Sequence, residues 1–304
     1  MKISICYRLF IFSIFLFING CNYETTRTAL VLPKSEHVST WEKILNESQE
    51  VKLITMNTGQ VRVPISGMLN MDDPKTYNLK DEEINVEVFS HLIQHPTQGN
   101  FLIDAGLNSS FQQGDQGDLK GWIASYFVKD SFQEPGQNIG AQITKMGVKL
   151  DGVFFTHLHS DHTPGLTELP KGLDLYVGQE EYKIDFPLLA YNEHFEGIKK
   201  LIELDFTNAP TIEPLGKVIN IFGDGSFWAI ATPGHSNGHV SYLVNSSEGW
   251  KLLAGDASHT RWGLENNVEP GWVDDREQAK KSLQKLIKFN QLYPQVTILP
   301  GHQY

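Results

Sequence analysis

Phe154-Phe155-Thr156-His157-Leu158-His159-Ser160-Asp161-His162 begins as a buried apolar strand and turns abruptly polar, with four possible ligands in six positions. In extended backbone, residues two apart project to the same side. His157 and His159 can therefore converge on one cation, leaving Asp161 and His162 to face another. Desolvating so many ionisable groups together is costly unless a cation or hydrogen bonds offset it. His37, His95 and His194, each standing alone, read instead as hydrogen-bonded or surface histidines.

Three later fragments repeat the pattern of a β-rich run that delivers one polar residue at its end. Ala229-Ile230-Ala231-Thr232-Pro233-Gly234 leads to His235, with Gly238 and His239 just behind; Leu252-Leu253-Ala254-Gly255 leads to Asp256; Thr297-Ile298-Leu299-Pro300-Gly301 leads to His302. Glycine before each ligand lets backbone and metal approach closely. Open α/β sheets gather distant residues beyond the carboxyl ends of their strands. The site is expected to assemble from four loops.

Further strands are predicted at residues 51–56, 86–94, 101–104, 152–156, 173–177, 218–222, 227–232, 240–245, 251–254 and 296–299, with hairpin turns at 95–100 and at Gly223-Asp224-Gly225. The clearest helix spans 275–292, with Ala279, Leu283, Leu286, Ile287 and Phe289 on its apolar face and Lys280, Lys281, Lys285 and Lys288 on a solvated one. Strands and helices alternating after an initial meander indicate a layered α/β domain with mixed sheets. No internal repeat interrupts it.

A net charge of -11, 40% hydrophobic residues and no Lys/Arg-rich block exclude an electrostatic footprint for nucleic acid and leave small molecules as partners. Lys2 and Arg8 precede the apolar run 9–18, which reads as an export signal over residues 1–20 and is too short to span a bilayer comfortably. Ile18-Asn19-Gly20-Cys21 resembles a bacterial lipobox, which implies a lipid on Cys21 and a membrane-anchored lipoprotein in the periplasm or at the cell surface. Residues 21–50 read as a tether with one short helix opened by the capping box Ser39-Thr40-Trp41-Glu42, and 51–304 as the catalytic domain. Cys6 and Cys21 are the only cysteines, so the mature domain has no internal disulfide and no thiolate ligand.

The fragments His157-Leu-His159-Ser-Asp161-His162, Thr232-Pro-Gly-His235, Gly255-Asp256 and Pro300-Gly-His302 resemble the metallo-β-lactamase superfamily from residue 52 onward. The resemblance implies an αββα sandwich with His157, His159 and His235 on one metal, Asp161, His162 and His302 on a second, and Asp256 bridging them. Phe101-Leu-Ile-Asp104-Ala-Gly106 resembles an early strand motif of the family whose aspartate supports the site without ligating. Two divalent ions, zinc foremost although iron, manganese or cobalt also suit these donors, lower the pKa of a shared water and polarise a carbonyl or phosphoryl oxygen. Asp161 can return a proton to the leaving group.

Within the superfamily, an aspartate at Asp256 is unlike many true β-lactamases. Glyoxalase II-like thioesterases carry a C-terminal domain that is not expected here. Thr232-Pro-Gly-His235-Ser-Asn-Gly-His239, Gly255-Asp-Ala-Ser-His259 and Gly271-Trp272 are most similar to the quorum-quenching N-acyl-homoserine lactonases. The departure is His259, where several of those enzymes carry a tyrosine that contacts the lactone. A catalytic His259 would hydrogen-bond the carbonyl or protonate the leaving alcohol. Met68, Leu69, Trp262 and Trp272 are candidate walls for an acyl chain. Competing readings are a phosphoester or organophosphate hydrolase, a thioesterase, a di-iron oxidoreductase and a non-catalytic metal-binding lipoprotein.

Overall fold

The computed structural model describes residues 26–30, 40–121, 123–182 and 190–302. The export signal, Cys21, His37 and Ser39 lie outside them. The strands are β1 (Thr26–Ala29), β2 (Lys52–Pro64), β3 (Glu83–His95), β4 (Gly99–Ile103), β5 (Asp130–Phe132), β6 (Gly152–Phe154), β7 (Asp174–Gly178), β8 (Lys200–Leu204), β9 (Thr211–Ile212), β10 (Gly216–Asn220), β11 (Phe227–Ala231), β12 (Val240–Ser246), β13 (Gly249–Gly255) and β14 (Thr297–Pro300). An eight-stranded sheet runs in the order β1-β8-β7-β6-β4-β3-β2-β5, and a six-stranded sheet in the order β14-β13-β12-β11-β10-β9. Both are mixed: β4, β6, β7 and β8 pair in parallel beside the antiparallel β2, β3 and β4, while β13 and β14 are the parallel pair of the second sheet.

Alternation along the strands sorts side chains between layers. On β11, Phe227 and Ala229 face the interior between the sheets, where they meet Phe154, Tyr242, Leu253 and Leu299. Trp228 and Ile230 face outward onto Leu286 and Phe289. Val153 and Phe155 point the other way from Phe154, onto Ile139 and Ile143. Helix α1 (Trp41–Glu47) and helix α4 (Arg276–Leu292) cover the outer face of the second sheet, and α2 (Ile139–Met146) covers the first. The shorter α3 (Arg261–Asn266) follows β13. The result is the expected αββα sandwich. Burial on both faces explains why these strands read as near-continuous apolar runs.

Three local expectations need correction. Residues 26–29 and 41–47 do more than tether: β1 pairs with β8, and Trp41 and Ile44 are buried in the core. The N-cap of helix α1 is Thr40 and not Ser39, and the Thr40 side chain makes no capping bond. Lys285 leaves the solvated face of α4 to donate to the Ala231 carbonyl, and burial brings its pKa down to about 8. Asp275 caps that helix, accepting from Gln278 N at 3.0 Å.

Candidate metal centre

Each strand that points at the site ends just before a ligand candidate: β6 before His157, β11 before His235, β13 before Asp256, β14 before His302. The glycines ahead of these residues make room for protein atoms. A Cβ on Gly234, at φ 132°, would overlap the Ala279 backbone, and one on Gly301 would overlap the Asp256 carboxylate.

Hydrogen bonds on the outer side of four of the imidazoles fix their tautomers. His162 Nδ1 donates to Asp104 Oδ2 at 2.9 Å, His235 Nδ1 to the Trp272 carbonyl at 2.9 Å, and His302 Nδ1 to the Glu87 carbonyl at 2.9 Å. His157 Nδ1 lies 3.0 Å from Thr156 Oγ1, whose own proton goes to Asp104 Oδ2 at 2.8 Å. All four therefore turn an Nε2 lone pair inward. His235 Nε2 comes within 3.1 Å of His157 Nε2 and 2.8 Å of His159 Nδ1. Asp256 Oδ2 lies 3.6 Å from His157, 3.5 Å from His162 and 3.3 Å from His235, and its Oδ1 is 3.4 Å from His302. Asp161 Oδ2 is 3.6 Å from His162 Nε2 and 3.5 Å from His302 Nε2.

These contacts resolve into two donor sets that share a wall. His157, His159 and His235 form one, Asp161, His162 and His302 another, and Asp256 stands between them. Among the described residues, five of the eight buried side-chain atoms without a hydrogen-bond partner belong here: His159 Nε2, His162 Nε2, Asp256 Oδ1 and both ring nitrogens of His259. Lone pairs facing one another in a buried space, made entirely of imidazole and carboxylate, fit divalent metal ions.

Burial holds His157 and His235 well below the ordinary histidine range and brings His159 down to about 4. Burial works the same way on His162, but Asp161, Asp104 and Asp256 overcome it and raise that ring. Asp256 is pushed up by burial, yet His259, His302, His162 and His235 together hold it well down as a carboxylate. The centre is a set of neutral or acid-paired imidazoles around a persistent negative charge.

Other residues brace it. Asp104 stays off the centre, as expected of a supporting aspartate, and grips Thr156 and His162. His239 accepts the Asp256 amide proton at Nε2 (2.9 Å). Its Nδ1 must then donate, to Thr232 Oγ1 at 2.8 Å, and burial brings its pKa down to about 3. Glu181, fully buried, joins two ligand loops: Leu158 N donates to Oε1 at 3.0 Å, while Ser236 Oγ and Gly238 N donate to Oε2 at 2.6 and 3.1 Å. Sequence reasoning assigned neither role, because both side chains answer backbone amides. His95 and His194 are away from the ligands, bonded to Asp224 and Asp118 respectively.

A cavity of about 360 Å³ opens over the cluster of donor atoms. His159, Asp161, His235, Asp256, His259 and His302 line one side; Val61, Val63, Met68, Val86, Phe127, Val128, Tyr191 and Trp272 supply the rest of its main surface. Met68 and Trp272 are walls as expected. Leu69 and Trp262 instead pack into the adjoining core.

The sequence profile of the metallo-beta-lactamase superfamily matches residues 85–302, and the chain belongs to that superfamily. The N-acyl homoserine lactonase AttM of Agrobacterium fabrum is 28% identical over 245 residues, which cover 75% of this chain and 88% of that protein. The gamma-lactamase FDB1 of Fusarium pseudograminearum is 26% identical over 286 residues, covering 71% and 67%. Among solved structures, an N-acyl homoserine lactone hydrolase with the product N-hexanoyl-L-homoserine bound at its catalytic metal centre aligns with a TM-score of 0.65. It is 21% identical, over 84% of this chain and 94% of that one.

Proposed function

We propose that the chain is a dinuclear metal-dependent hydrolase that opens a lactone carrying an apolar acyl chain, of the N-acyl-homoserine lactone kind, or a related ester. The observation that carries this reading is the cavity, whose apolar walls end directly on the ligand cluster. In this reading His157, His159 and His235 hold one ion, Asp161, His162 and His302 the second, and Asp256 both. A donor set without thiols and with three imidazoles on one side suits zinc.

A pair of divalent cations lowers the pKa of water toward neutrality and withdraws electrons from a carbonyl oxygen. The protein does the rest. Val61, Val63, Met68 and Trp272 hold an acyl chain and exclude water, which places the ring carbonyl over the ligands. Asp161, the more exposed of the two carboxylates at 20% of its side chain, accepts a proton on the cavity side and returns it to the departing alkoxide. Among the described residues no lysine or arginine lines the cavity, which counts against a phosphoester, whose anionic oxygens favour cationic partners.

The test is a panel of acyl-homoserine lactones, simple lactones, γ-lactams, thioesters, phosphoesters and a β-lactam, offered to metal-loaded protein with ring opening followed by acid release. Acyl-homoserine lactones should turn over fastest, and His159→Ala should abolish that turnover. A phosphoester or lactam in first place would overturn the assignment. The export and Cys21 lipid-anchor reading rests on the basic start, the apolar run and the lipobox-like residues. Recovery of the protein in the soluble cytoplasmic fraction would refute it.

A further inference from the structure

His259 reaches further into the centre than a substrate-contacting side chain requires. Its Nε2 lies 3.1 Å from Asp256 Oδ2, the oxygen that also stands 3.3 Å from His235 Nε2. The donor atoms of His235, Asp256 and His259 fall within 4.8 Å of one another. The ring is 2% exposed, and neither nitrogen has a hydrogen-bond partner. It meets the His235 ring edge-on at 4.9 Å.

The loop that carries it is not free to swing. His302 N donates to the His259 carbonyl at 3.0 Å and Gly301 N to that of Ser258 at 2.9 Å, so this loop is stitched to the one bearing His302. A buried imidazole with both nitrogens unpartnered is costly. A cation between His235 and His259 lowers that cost by taking up the Nε2 lone pair directed at Asp256.

We propose that His259 is itself a metal ligand, joining His157, His159, His235 and Asp256 on the same divalent ion. The proposal rests on the dinuclear reading above and goes beyond it, because it makes the two ions unequal. One has five protein ligands, the other four: Asp161, His162, His302 and Asp256. His157, His162, His235 and His302 each have an acceptor behind Nδ1, whereas His259 has none. Such an outer acceptor orients a ring and raises its basicity. His259 shares that lack with His159, whose Nδ1 faces His235 and whose Nε2 has no partner, and as a wall of the cavity it is positioned to yield its place to an incoming carbonyl oxygen.

The experiment strips the full-length protein with a chelator, reloads it with Co2+, and compares it with His259→Phe and His259→Cys. Phenylalanine keeps the ring volume and removes both nitrogens. In that variant, affinity for the first equivalent of Co2+ should fall by about tenfold or more, the least that loss of a supporting partner usually costs, and the visible ligand-field spectrum should change. In His259→Cys a thiolate-to-cobalt charge-transfer band should appear that the parent, with only Cys6 and Cys21, lacks. The thiolate band decides; should that variant fail to fold, the ligand-field spectrum of His259→Phe decides instead. A cysteine variant without the band, or in its place a phenylalanine variant with the parental spectrum, would overturn the proposal. A parent that takes up no Co2+ at all would overturn the dinuclear reading beneath it.

Discussion

Asp104 sits at φ 58°, in the left-handed region that costs a residue other than glycine about 1–3 kcal/mol. It is held there from several directions. Its amide donates to the Phe154 carbonyl, its own carbonyl accepts from Ser90, and its carboxylate takes protons from Thr156 N, Thr156 Oγ1 and His162 Nδ1. The strained backbone turns the carboxylate back beneath the metal loop. Asp104→Ala should lower metal affinity about 10–100-fold, the usual cost of losing a partner behind a ligating imidazole, as measured by chelator competition. Asp104→Asn, which tolerates the same backbone, isolates the contribution of the charge. Affinity unchanged in both variants would show that His162 needs no such support. At this scale the ligand candidates were legible because each ends an apolar run with a polar residue that a strand would not otherwise keep. His239 and Glu181 were not, since a side chain that answers the Asp256 or Leu158 amide leaves no pattern of spacing.

Helix α1 lies in a stretch whose sequence neighbours are polar, and polarity hid its packing. Trp41 meets Trp228 and Phe289 edge-on at 5.6 and 5.2 Å, and its indole N–H donates to the Ile212 carbonyl. Trp41→Ala should therefore destabilise the fold by about 3–5 kcal/mol while leaving metal affinity unchanged, as read by denaturant unfolding and by metal titration. Unfolding at the parental denaturant concentration would return the helix to the role of a tether. β2 was also underread: the expected strand stopped at Met56 because Asn57-Thr58-Gly59 has the composition of a turn. In the fold it is a β-bulge, where the register against β3 shifts, Gly59 takes φ 140° and its amide is held by Asn57 Oδ1. A bulge re-aims the strand beyond it. Val61 and Val63, on the stretch of strand beyond it, line the cavity, and reading the strand as ended at Met56 left both out of the anticipated walls.

For the molecule as a whole, two buried groups outside the proposed ligand set have opposing pH limbs. Burial lowers His91 to about 3, below its ordinary 6.5. The folded chain thus binds fewer protons than the unfolded one, and the stability linked to a neutral His91 is complete above pH 6.5 and lost as pH falls toward 3. Burial raises Glu181 from its ordinary 4.5 to about 7, although Ser236, Leu158 and Gly238 pull the other way. Its contribution is complete below pH 4.5 and lost as pH rises through 7. Metal-free protein compared with Glu181→Gln should therefore lose ground to the variant between pH 5 and 8, as followed by urea midpoint. A constant difference across that window would mean Glu181 is ionised throughout. Trp272 has two roles at once. Its ring faces the cavity, its amide is pinned to the Gly67 carbonyl, and its own carbonyl steers His235. On the proposed reading, a lineage that reshaped this residue to suit a longer or shorter acyl chain would disturb the carbonyl that orients His235 in the same step. Drift in substrate taste is more freely reached through Val61 and Val63, on a strand that lends no described carbonyl to a ligand.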